Sequence, residues 1–183
     1  MIKIGQIIKK VKSKKDKNIL IRVVGNNDAI GLKNMINCII DEDDFLLINK
    51  KVSLAEEKQW LEKTIKGTRK DERIFLCALT GSKIIGSGGI ERKSGRMSHV
   101  GNFGITILKE FREEGIGKCL MSEVLKIAKK NLKVKLITID VCSTNERAFN
   151  FYKKMGFKVY GELPKAMLRR GRYISILRMY KEI

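Results

Sequence analysis

The 183-residue sequence has one proline and no low-complexity block, which excludes collagen-like and proline-rich architectures. No apolar run approaches the roughly 20 residues that a membrane-spanning helix needs. The N-terminal segment, MIKIGQIIKKVKSKKDK, has no continuous apolar stretch and no small-residue cleavage site, so it does not read as a secretory signal. Cys38, Cys77, Cys119 and Cys142 are widely spaced and form no C-x-x-C pair, and His99 is the single histidine. A disulfide framework and a clustered zinc site are both excluded on that count. Four reduced, buried thiols in a cytoplasmic protein with no membrane contact are the expectation.

Acidic residues are scarce beside basic ones: 20 Asp and Glu against 39 Lys and Arg, a formal net charge of +19. This charge is compatible with a nucleic-acid partner without requiring one, because the basic residues are spread along the chain. An anionic small ligand and the Lys- and Ile-rich bias of heat-adapted proteins are the other readings. Hydrophobic residues make up 43% of the chain, enough for a packed core, and the length fits one domain.

Residues 1–18 carry Lys3, Lys9, Lys10, Lys12, Lys14, Lys15 and Lys17 with interleaved isoleucines, and read as a basic, solvated arm. The globular pattern starts at Ile19 and continues to 183 without a linker. Ile19 to Val24 reads as a strand and Ala29 to Ile40 as a helix. The acidic turn Asp41 to Asp44 follows. Ser53-x-x-Glu56 is a capping box opening a second helix. Ile74 to Leu79, Lys83 to Ile90 and Met97 to Leu108 read as strands joined by Gly-containing turns. Ile116, Leu120, Val124 and Ile127 recur at helical spacing. Leu136 to Val141 is a strand, Asn145 to Met155 a helix ended by Gly156, and Phe157 to Gly161 and Arg172 to Tyr180 are the last two strands. The order β-α-α-β-β-β-α-β-α-β-β gives a mixed α/β domain with helices on a mostly antiparallel central sheet.

Arg112-x-x-Gly115-x-Gly117 lies between a strand and a helix. Glycines there let backbone N–H groups approach an anion, and the helix adds its unpaired N-terminal donors and dipole. Arg112 and Lys118 add charge. Two glycines in a plain turn are the alternative. No Gly-Lys-Ser/Thr follows, so the loop is not a Walker loop, and it does not open a βαβ unit as a dinucleotide fingerprint would.

Downstream stands Asn145-x-x-Ala148-x-x-x-Tyr152-x-x-x-Gly156-Phe157. With both motifs in this order, the chain resembles the GNAT superfamily of acyl-CoA-dependent N-acetyltransferases from about residue 19 to 183, most strongly over 97–160. The resemblance implies acetyl-CoA as cosubstrate and a primary amine as acceptor: a protein N-terminus, an amino acid or a small amine. It implies direct attack in a ternary complex, and a monomer or homodimer is the expected assembly. Backbone groups of Ile105, Thr106 and Ile107 would pair with the pantetheine arm. The diphosphate would rest on Arg112, Glu113, Glu114, Gly115, Ile116 and Gly117, near Lys118. Asn145 would hydrogen-bond the arm, and Tyr152 would stand at the sulfur as the acid that protonates the leaving thiolate. A core tyrosine is the alternative for Tyr152.

The base that takes the amine proton has two candidates. Asp140 sits where ribosomal-protein-alanine acetyltransferases of the family carry an acid; a strand-end acid capping a turn is its alternative. His99 lies on the strand leading to the loop, with a structural role as its alternative. Gly101 stands where relatives of the histone acetyltransferases keep Glu, and Ser175 where many small-amine acyltransferases have Asp. A non-catalytic nucleic-acid or ribosome-associated protein that retains the fold is the second functional reading.

Overall fold

The computed structural model of the protein describes residues 2–42 and 45–183. Asp43 and Asp44 of the acidic turn lie outside the described residues. One eight-stranded sheet runs through the molecule in the order β1-β2-β3-β4-β5-β6-β8-β7. Its strands are β1 (Ile7–Lys12), β2 (Asn18–Val23), β3 (Arg73–Thr80), β4 (Lys83–Arg92), β5 (Val100–Ile107), β6 (Leu136–Cys142), β7 (Lys158–Arg169) and β8 (Arg172–Glu182). The helices are α1 (Ala29–Asp41), α2 (Leu54–Arg69), α3 (Ile116–Ile127) and α4 (Glu146–Lys154). All strand pairs are antiparallel except β5–β6. The mixed, mostly antiparallel sheet with helices on it is the architecture the sequence predicts.

Two elements differ from that expectation. Residues 7–12 are not a solvated arm: they form β1, paired antiparallel with β2. Its lysines suit a sheet edge, where charge blocks further pairing. β7 is longer than Phe157–Gly161 and passes through Pro164, with register shifts at Val159/Gly161 and Leu163/Met167. As the opposite edge strand it tolerates a residue without an N–H.

Local chemistry explains the helix boundaries. Ser53 accepts from the Glu56 N–H at 3.2 Å, and Glu56 accepts from the Ser53 N–H at 2.7 Å, so the capping box that opens α2 is complete. Gly156, at φ 88°, stops α4. The helices lie on both faces of the sheet. Trp60 of α2 meets Phe75 of β3 edge-on at 4.6 Å on one face. On the other, α3 crosses β4 at Gly88, where an added Cβ would stand 3.3 Å from Leu120. Ile116, Leu120, Val124 and Ile127 of α3 are all buried, as their spacing requires. Leu120 is fully buried, and truncating it to Ala costs about 2–5 kcal/mol. Packed this way, α3 holds its first turn fixed at the end of β5.

Candidate active site

β5 and β6 are parallel neighbours over only three register pairs, Val100 with Leu136, Gly101 with Ile137 and Asn102 with Thr138. Beyond them the strands part. β5 stays paired with β4 up to Ile107, and β6 with β8 up to Cys142, so a gap opens in the middle of the sheet. The Leu108 N–H donates to the Ile85 carbonyl at 2.9 Å, on the β4 side. Successive backbone groups alternate in direction along a strand. The N–H groups of Ile105 and Ile107 therefore turn into the gap, while the backbone groups of Thr106 turn to β4. The Thr106 hydroxyl lies 3.2 Å from that of Ser87.

At the mouth of the gap the chain makes the Arg112–Gly117 bend and enters α3. Gly115 is the N-cap in the left-handed region at φ 84°, and Glu113 is also left-handed at φ 64°. An added Cβ at Gly115 would meet nothing within 4 Å, so the glycine serves the bend and not a close contact. From Glu113 through Lys118 no backbone N–H donates to a protein acceptor among the described residues. Unpaired donors at a helix start, in a turn with left-handed residues, are an arrangement that suits an anion.

Arg112 holds the bend. Its Nε donates to the Ile107 carbonyl at 2.8 Å and its Nη2 to Glu42 at 2.8 Å. The Glu42 carboxylate also accepts from the Lys109 N–H at 3.2 Å. Arg112 is thus a strut between β5 and the end of α1. Ile116 is buried in the core, a Cβ added at Gly117 would stand 3.8 Å from Ile105 and Phe151, and Lys118 is exposed. The Glu114 side chain is buried away from solvent and bonded to Ser13.

Asn145 caps α4, its Oδ1 accepting from the Ala148 N–H at 3.1 Å. The cap leaves the side-chain NH₂ as a donor beside the end of β6. Tyr152, one side of α4, is 7% exposed and lies between the rings of Phe151 and Phe157. Its hydroxyl has no protein hydrogen-bond partner among the described residues. Burial pushes the phenol pKa up to about 12, so it is a protonated donor at neutral pH.

Asp140 lies in the parted section of β6. Ile137 pairs with Gly101, whose added Cβ would run into Ile90 and Val134, so these residues and Ile139 face the α3 side. Asp140 and Cys142 then face the α1–α2 side, with Asn102, Gly104 and Thr106. Asp140 stands 4.0 Å from Arg178 Nε, its register partner on β8, and both side chains are about half exposed. Cys142 Sγ is 3.2 Å from Met167 Sδ and 3.9 Å from the Phe45 carbonyl. Arg169 lies 4.4 Å from the Phe45 ring centre. The α1–α2 connection and the β7–β8 hairpin thus wall this face.

Three expectations fail here, the first at Thr106, whose backbone groups turn to β4 and not into the gap. His99 precedes β5, at the end of the strand remote from the bend. Eight residues at about 3.3 Å each put it about 26 Å from Ile107. It is exposed and lines a hollow of about 630 Å³ with Lys129, Lys133 and Lys135 at the far end of the sheet, so it is not part of the gap. The four cysteines are not all buried either: Cys38 is exposed and Cys119 half-buried. The space at Gly101 explains why no glutamate stands there, since Ile90 already fills it. Sequence reading misses Glu42, Phe45, Met167 and Arg178 because long-range pairing brings them in; for Arg178, the local signal is its charge within the otherwise apolar run Ile176 to Tyr180.

Among known proteins, the model of the acetyltransferase (GNAT) domain matches residues 21–177. The L-amino acid N-acetyltransferase AaaT of Escherichia coli is 35% identical over 80 residues, 44% of this chain. The match spans about half of that relative's length, 49%. An acetyltransferase of the GNAT family from Streptococcus pneumoniae superposes with TM-score 0.81 at 26% identity, over 90% of this chain and 99% of the other. The Salmonella typhimurium acetyltransferase yncA, solved with acetyl-CoA, superposes with TM-score 0.78 at 14% identity over 90% and 93%. With the domain matched over most of its length and its sheet parted between β5 and β6, the chain belongs to the GNAT family of acetyltransferases.

Proposed function

We propose that the protein transfers the acetyl group of acetyl-CoA to the α-amine of a free amino acid with an apolar side chain. The observation that carries the donor half is the run of unpaired amides from Glu113 to Lys118 at the mouth of the gap. A diphosphate needs such convergent donors, and a surrounding charge of +19 attracts this anionic cosubstrate. The N–H groups of Ile105 and Ile107 offer the pantetheine arm an edge to pair with, and Asn145 adds a side-chain donor. When bound, acetyl-CoA supplies an activated acetyl thioester.

This chain's residues divide the remaining work. A backbone N–H of β5 is the fixed donor for charge developing on the carbonyl oxygen. Asp140 accepts the proton that the ammonium must lose before attack, directly or through water. Tyr152 returns a proton to the departing thiolate, a task for which a buried phenol with no other partner is suited.

The acceptor half rests on Asp140 and Arg178. Their contact is long and half exposed, so both charges are open to a ligand. A zwitterionic head group satisfies both at once: ammonium on Asp140, carboxylate on Arg178. The neighbouring Phe45, Cys142 and Met167 suit an apolar side chain. AaaT, the partial relative, is named an L-amino acid N-acetyltransferase, which agrees. The test is release of free CoA thiol with L-phenylalanine against phenethylamine, which lacks the carboxylate. The expected result is kcat/KM about tenfold or more in favour of the amino acid. Equal rates, or turnover only with peptide N-termini, contradict the assignment.

A further inference from the structure

Glu114 is an anion inside the bend assigned to a diphosphate, where an open carboxylate would repel the ligand. The structure removes the difficulty from an unexpected direction. Glu114 is 3% exposed, and its Oε2 accepts a 2.6 Å hydrogen bond from the hydroxyl of Ser13, in the β1–β2 turn. The ammonium groups of Lys15 and Lys17 stand 3.4 and 3.5 Å from Oε1. The Lys14 N–H donates to the Glu114 carbonyl at 3.1 Å. Ser13 is itself buried, and its hydroxyl oxygen accepts from the Lys15 N–H at 3.2 Å, which closes the turn on itself. The Ser13 bond, helped by both lysines, holds the Glu114 carboxyl below the usual carboxylate range. Glu113 and Gly115, on either side, are the two left-handed residues of the bend. The side chain is therefore anchored at the point where the chain reverses direction.

We propose that the β1–β2 turn is a positioning element of the cosubstrate site: Ser13, with Lys15 and Lys17, anchors and neutralises Glu114, keeping the amides from Glu113 to Lys118 convergent on the diphosphate. Ser13 and Glu114 are positioning residues and touch no reacting atom. The inference rests on the reading of the bend as the diphosphate site.

The test is binding of two probes to the full chain by titration calorimetry: acetyl-CoA, and S-acetylpantetheine, which lacks the diphosphate. Ser13→Ala weakens acetyl-CoA about tenfold, the effect of one lost charge-assisted hydrogen bond, and leaves S-acetylpantetheine within about twofold. Ser13→Thr, which restores the hydroxyl, recovers most of the loss. A Ser13→Ala protein that keeps wild-type affinity for acetyl-CoA, or that loses both probes equally, overturns the proposal. Gly117→Asp separates the two readings. If it abolishes acetyl-CoA binding while Ser13→Ala does nothing, only the positioning role fails. If it binds acetyl-CoA unchanged, the diphosphate assignment falls and the positioning role with it.

Discussion

Arg178 Nε stands 4.0 Å from Asp140 Oδ1 across the β6–β8 ladder, on the face of the sheet walled by Phe45 and Met167. An exposed pair this loose contributes little to stability. Its two charges are more useful to a ligand than to the fold. Asp140→Asn is expected to lower kcat/KM for the acceptor about 100-fold. Arg178→Gln is expected to raise acceptor KM about tenfold with kcat kept, and to leave an acceptor without a carboxylate unaffected. Melting temperatures within about 2 °C of wild type, expected for half-exposed positions, separate these effects from unfolding.

Tyr152→Phe keeps the packing with Phe151 and Phe157 and deletes the donor. The expected outcome is kcat lower by about 100-fold with little change in acetyl-CoA affinity. The phenol titrates at about 12, above its ordinary 10. The working form is the protonated one, present below that pKa. Loss of the donor therefore cannot depress the rate between pH 8 and 10. A wild-type rate that falls there, with the fall absent in Tyr152→Phe, would place the phenol's titration below 12, whereas a Tyr152→Phe protein with wild-type kcat contradicts the acid role.

Gly101→Ala puts a methyl group where Ile90 and Val134 already pack. The overpacking is expected to cost about 1–3 kcal/mol, which lowers Tm by roughly 2–12 °C. Thermal unfolding followed by circular dichroism measures it. A Tm equal to wild type means that Ile90 can move aside.

Thiol reactivity should follow burial. Cys38 is exposed, whereas burial pushes the Cys77 thiol pKa strongly up. Limited alkylation of the native protein, followed by peptide mass analysis, is expected to label Cys38 first and Cys77 last.

Much of the architecture is legible in the sequence because it is written in local signals. The Ser53–Glu56 box, the stop at Gly156 and the buried stripe Ile116–Leu120–Val124–Ile127 each need only neighbouring residues to be read. So does the Gly115 bend. What the sequence hides is contact between distant segments. β1 looks like a lysine-rich tail because an edge strand with one wet side has no uniform alternation. Arg112 looks like a phosphate ligand until Glu42 and the Ile107 carbonyl are seen on it. His99 shares a strand pattern with the loop, yet the strand's own length carries it to the far end. Glu114 reads as part of the anion site, yet its side chain is turned to Ser13, 101 positions away.

We propose that the amides from Glu113 to Lys118 take the diphosphate of acetyl-CoA. Titration of the ¹⁵N-labelled protein with acetyl-CoA, followed by amide chemical shifts, tests it directly. The expected result is that the largest shifts fall on Glu113 to Lys118 and that 3′,5′-ADP, which lacks the diphosphate, does not reproduce them. Saturable binding that leaves these amides unmoved would contradict it.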